Sequence, residues 1–100
     1  MTLHHAVTFQ IEGPLTEEIR QILTQSFDAL ADRIDWALSY HHGPNLGLPR
    51  STESYGVIAR FRDVDDFNRY VVDELHQDVI TNVLPKYIAA RHSLQFIVED

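Results

Sequence analysis

One hundred residues make about one domain and leave no room for a second core. The formal charge of −7 comes from 15 acidic against 8 basic side chains, the latter scattered from Arg20 to Arg91, which argues against nucleic acid or an anionic membrane as a partner. The absence of cysteine removes disulfides, thiolate catalysis and zinc ribbons, and no apolar run approaches the roughly 18–20 residues that span a bilayer.

The stretch Met1 to His5 lacks the basic-then-apolar order of a signal peptide, so the chain is expected to be cytoplasmic. Leu3, His5, Val7, Phe9 and Ile11 alternate with His4, Ala6, Thr8 and Gln10, the period of a strand, and Gly13-Pro14 ends it. Thr16 suits an N-cap, with Glu17 and Glu18 in the positively polarised first turn. Ile19, Ile22, Leu23, Phe27, Leu30 and Ile34 then recur at threes and fours, which predicts an amphipathic helix over 17–32.

Trp36, Leu38, Tyr40 and His42 alternate as a second strand closed by Gly43-Pro44-Asn45, and a loop follows to Ser54. Tyr55, Val57, Ala59 and Phe61 mark a third strand, an antiparallel neighbour of the second. Asp63 caps another helix whose inner face carries Val64, Phe67, Tyr70 and Val71, and Asp66 imitates a capping box with a shorter acid. A further helical stretch over 76–84 presents Val79, Ile80, Val83 and Leu84 and is disturbed or ended by Pro85. His92, Leu94, Phe96 and Val98, alternating with Ser93, Gln95 and Ile97, form the last strand.

The order β-α-β-β-α-β predicts a single α+β domain over residues 1–100, a ferredoxin-like four-stranded antiparallel sheet with helices on one face. Ala6 behind Val7 and Ile58 behind Val57 make the second face apolar too. That face needs a cover, and the simplest is the sheet of a second copy, giving a homodimer that closes into an α+β barrel.

The strand His5 to Phe9, the pair Arg60-Phe61 and the segment Tyr70 to His76, taken together and in this order, resemble the stress-responsive A/B barrel family over Leu3 to Val98. The resemblance implies a dimeric barrel, and a catalytic set of His5, Tyr70 and His76 matching that of a plant polyketide cyclase of the family, which works without metal or organic cofactor. It also implies a wall for a small apolar or aromatic ligand at Leu23, Phe27, Tyr55 and Val57. The chain departs from the family pattern with Asp73-Glu74 where His-Pro is common, His42-Gly43 where a tryptophan is frequent, and Tyr55 where many members carry histidine.

A histidine takes and returns a proton near pH 7, so two of them can divide the work of base and enolate stabiliser while a tyrosine hydroxyl assists. On an unbroken helix Tyr70 and His76 would lie about 240° apart, so convergence requires a break, for which Asp73-Glu74 is the natural place. Packing is the competing reading: a hydrogen-bonded core histidine and a core tyrosine in a non-enzymatic stress or assembly protein. A third is a cofactor-free monooxygenase of electron-rich aromatics.

The six histidines raise the question of a metal. His4-His5 and His41-His42 are strand neighbours that point to opposite faces, and no carboxylate spacing completes a set with His5, His42 and His92, so no metal is expected. Asp63, Asp65 and Asp66 read as cap and first-turn charge without calcium-loop spacing, and Arg60 and Arg62 are expected to pair with them. No phosphate loop, dinucleotide fingerprint or serine-nucleophile motif occurs.

Overall fold

The computed structural model describes residues 1–99. Strands β1 (Thr2–Ile11), β2 (Ser39–Pro44), β3 (Tyr55–Phe61) and β4 (Ile88–Val98) form one antiparallel sheet in the order β2-β3-β1-β4. Helices α1 (Glu17–Arg33), α2 (Val64–Val71) and α3 (Glu74–Asp78) cover one face. The fold is α+β and ferredoxin-like.

The alternation in β1 buries Leu3, His5, Val7, Phe9 and Ile11 against the helices. Tyr55, Val57, Ala59 and Phe61 of β3 continue that layer, and Leu23, Phe27 and Leu30 of α1 close over it. Each large apolar side chain so buried contributes about 1.5–3 kcal/mol. Thr16 accepts from the Ile19 amide and Asp63 from the Asp66 amide, which starts α1 and α2 where the caps stand.

The sheet's other face is left uncovered by helices. Ile58, Leu94 and Phe96 stand 60%, 61% and 50% exposed there. The β1–β4 register sets His92, Leu94 and Phe96 opposite Thr8, Ala6 and His4 on this outer face, and Arg91, Ser93 and Gln95 opposite Phe9, Val7 and His5 on the inner one. The apolar stripe of β4 therefore points away from the helices, and its polar stripe points toward them.

Several elements differ from the sequence reading at their ends. β2 starts at Ser39, not Trp36, because the indole turns to α2: its Nε1 donates to the Asp66 carbonyl and the Arg69 guanidinium lies 3.7 Å above its ring. The strand runs on through Gly43 and Pro44, which pair with Gly56 and Tyr55. α3 starts at Glu74 because Asp73 caps it. Pro85 lies within a short 3₁₀ turn, Leu84–Lys86, after a π turn, Val79–Val83, in which the Leu84 amide reaches back to the Val79 carbonyl. β4 begins at Ile88, four residues before His92, held by the β1 ladder through Ala90 opposite Gln10 and Ile88 opposite Ile11. Arg62 pairs with Asp66 as expected, whereas Arg60 donates to the Ser39 hydroxyl across the β2–β3 ladder, because strand alternation points it away from α2.

Candidate functional site

Between α2, α3 and the β1–β4 half of the sheet lies a cavity of about 270 Å³, lined by His5, Tyr70 and His76 together with apolar side chains that include Phe9, Phe27, Val79 and Leu84. The helix break at Asp73 assembles it. The carboxylate accepts from the Leu75 and His76 amides and pairs with Arg33 of α1 at 2.8 Å. The non-helical backbone of Asp73 separates α3 from α2, and the centres of the His76 and Tyr70 rings come to 4.1 Å of each other.

The two imidazoles are held in different states. Gln95 Nε2 donates to His5 Nδ1 at 2.8 Å, so the neutral ring carries its proton on Nε2. Burial, and then the neighbouring His76, push the pKa of His5 down to about 4. His76 Nδ1 donates to the Val71 carbonyl at 3.1 Å, which leaves its Nε2 lone pair open. Burial lowers His76 as well; the Val71 hydrogen bond opposes this, the Arg91 cation adds to it, and the Asp73 carboxylate opposes it. At neutral pH the cavity thus holds one imidazole as donor and the other as acceptor.

Tyr70 is buried and shares a 3.1 Å hydrogen bond with the Tyr40 hydroxyl. Burial pushes its hydroxyl up to about 12, with the Tyr40 contact opposing and Asp73 adding to the rise, and burial raises Tyr40 further still. Both phenols stay protonated and act only as hydrogen-bond groups.

Of the wall residues inferred at Leu23, Phe27, Tyr55 and Val57, only Phe27 lines this cavity. Leu23 is fully buried in the core under α1. Tyr55 is tied to His42 Nδ1 at 2.7 Å and to Thr24 Oγ1 at 3.1 Å, and Val57 belongs to the β3 core layer and to a groove on the outer face. His42 engages both ring nitrogens, through Tyr55 and through Asp28 at 2.8 Å, while His92 sits on the outer face near Glu53. Among the described residues no group of three or more His, Asp or Glu is placed to hold a metal ion. No helix among them is long and apolar enough to cross a membrane.

Sequence reasoning missed Tyr40, Arg91, Ser93 and Gln95. Arg91 and Ser93 line the cavity, Gln95 sets the tautomer of His5, and Tyr40 shares the Tyr70 hydroxyl bond. The available signal was the polar alternation Arg91, Ser93, Gln95, which gains meaning only once β4 is aligned on β1.

The family model described as the stress responsive A/B barrel domain matches residues 3–98. The chain belongs to that family. No curated protein matches the sequence. This A/B barrel chain is similar to a dimeric ferredoxin-like protein from Thermobifida fusca, with 21% identity and a TM-score of 0.86 over 98% of this chain and 92% of that one. It is similar to the hydroxynitrile lyase of Passiflora edulis at 14% identity and a TM-score of 0.82, covering 99% of this chain and 94% of the lyase. It also resembles SnoaB, a cofactor-independent oxygenase from Streptomyces nogalater, at 17% identity and a TM-score of 0.72, with 99% and 94% covered. Likenesses at this identity establish the A/B barrel chain's fold and nothing finer.

Proposed function

We propose that the chain forms a homodimer through its outer sheet faces, and that each subunit binds a small apolar or aromatic molecule beneath α2 and α3 for acid/base chemistry without a cofactor. The observation that carries this reading is the pair of neutral imidazoles in one cavity, His76 with an open Nε2 lone pair and His5 with a proton on Nε2. His76 takes a proton from carbon or oxygen of the ligand; His5 donates a hydrogen bond to the oxygen on which charge develops, and the Tyr70 hydroxyl assists. Gln95 and Val71 are positioning residues, each fixing the tautomer of one ring.

The polyketide-cyclase type of reaction, an intramolecular aldol condensation, uses this equipment: a base at a carbon acid and donors at the enolate oxygen. The likeness to a lyase and to a cofactor-independent oxygenase supports chemistry run by side chains in this fold. The apolar outer face and the dimeric relative support the homodimer.

Deuterium exchange into the methyl group of acetophenone, followed by NMR in D₂O, tests the base whatever the natural substrate is. The wild-type chain is expected to accelerate exchange, and His76→Gln to lower that acceleration by roughly a hundredfold or more. His5→Gln should lower it as well. Equal rates for wild type and His76→Gln would leave the assembly reading, in which these residues only pack. Oxygen uptake with an electron-rich phenol would point instead to a monooxygenase.

A further inference from the structure

Resting on the small-molecule reading above, we propose that the cavity's ligand is a small cyclic or aromatic carboxylate whose anionic group is held by Arg91. The β4 wall is the observation. On this edge strand the helix-facing stripe reads Arg91, Ser93, Gln95, polar and open to solvent, so the cavity has a wet, cationic rim on the β4 side. Gln95 is engaged on His5, but among the described residues the Arg91 guanidinium makes no hydrogen bond or ion pair, and the Ser93 hydroxyl makes no hydrogen bond.

Arg91 borders two hollows, the cavity of about 270 Å³ and an apolar depression of about 190 Å³ shaped by Ile80, Leu84, Pro85 and Ile88. It therefore stands at the mouth, and its charge reaches far enough inward to act on His76. A guanidinium offers a fork of donors that matches a carboxylate, with the Ser93 hydroxyl as a further donor beside it. The apolar inner walls at Phe9, Phe27 and Val79 suit a ring, and the volume, near the lower end of ligand pockets at about 300 Å³, suits a small one.

Charge balance selects a monoanion. Arg91 is the one Lys or Arg among the residues lining the larger cavity, and burial keeps both histidines there from supplying a second positive charge at neutral pH. A dianionic phosphate would leave one negative charge uncompensated against a chain of net charge −7.

Benzoate, benzamide and phenyl phosphate, titrated at pH 7.5 into the full chain with the His5 and His76 ring signals followed by NMR, test this. Wild type is expected to bind benzoate about tenfold more tightly than benzamide, Arg91→Gln to remove that preference, and Arg91→Lys to restore part of it. A benzoate preference that survives in Arg91→Gln, tighter binding of benzamide, or tighter binding of phenyl phosphate would overturn the carboxylate assignment while leaving the cavity as a binding site. If none of the three moves the histidine signals, the small-molecule reading falls and this inference with it.

Discussion

The His76 ring lies 4.1 Å from the Tyr70 ring although six residues of unbroken helix would turn them to different faces. Asp73 is the cause. It ends the line of α2, accepts from the Leu75 and His76 amides as the cap of α3, and is anchored by Arg33. Asp73→Ala should cost about 1–2 kcal/mol, nearly all from the lost cap, because an ion pair with an exposed arginine adds little. Urea unfolding measures the loss. The ring-current shift of Tyr70 on the His76 signals should shrink at the same time, whereas Arg33→Gln should change stability less and leave those signals in place.

Acid should weaken the fold through the cavity. His5 titrates near 6.5 when unfolded and at about 4 when folded, so between those values the unfolded chain binds more protons and stability falls as pH falls. The gap corresponds to about 3 kcal/mol, which water at the cavity mouth screens to about 2. The loss is complete just below pH 4 and absent above 6.5. His76 adds to it in the same direction, since burial and Arg91 of β4 lower it more than Val71 and Asp73 raise it. Urea melts at pH 7 and pH 4 should show His5→Gln losing less stability than wild type over that interval; equal losses would refute the assignment. Any base catalysis by His76 should likewise persist to somewhat below pH 6.5 before it falls.

Much of this architecture was legible because short-range signals agreed. Alternation in β1 and β3, the caps at Thr16 and Asp63, and the threes and fours of α1 each point to the element that forms. The spacing of Tyr70 and His76 demanded a break, and Asp73 makes it. The unread parts depend on distant partners. Ala89 and Ala90 carry no strand signal of their own; β4 extends through them because β1 offers a free ladder edge. Alternation in β4 also yields two stripes without saying which faces the helices, and the apolar one, Leu94 and Phe96, faces out. For the same reason Arg91 could not be assigned to the cavity, while Leu23, Tyr55 and Val57, read as a ligand wall, are held in the core by neighbours on other elements.

A second polar network ties α1 to the sheet, and its loss should be felt in stability alone. His42 bonds Asp28 through Nε2 and the Tyr55 hydroxyl through Nδ1, and that hydroxyl also shares a hydrogen bond with Thr24. Tyr55→Phe keeps the ring that stacks 5.7 Å from Phe27 but leaves His42 Nδ1 and the Thr24 hydroxyl without their partner. A destabilisation of about 1–2 kcal/mol is expected in urea melts. The His5 and His76 signals should stay unchanged, since the network does not touch them.

The outer face should decide the assembly. Ile58, Leu94 and Phe96 form an exposed apolar surface on the side of the sheet that no helix covers, and Ala6 between β3 and β4 adds no charge to oppose close approach. A second copy placed there would remove these side chains from water on both sides, which is the driving force for pairing. Phe96→Glu puts a carboxylate opposite His4 on that surface while leaving the helix-facing stripe of β4 untouched. Sedimentation equilibrium should find wild type at twice the mass of the chain and Phe96→Glu at the monomer mass. The midpoint of thermal unfolding should rise with concentration for wild type and stay constant for the variant, because only a dimer gains stability by mass action. A wild-type chain that sediments as a monomer would remove the homodimer and leave the cavity to work within a lone subunit.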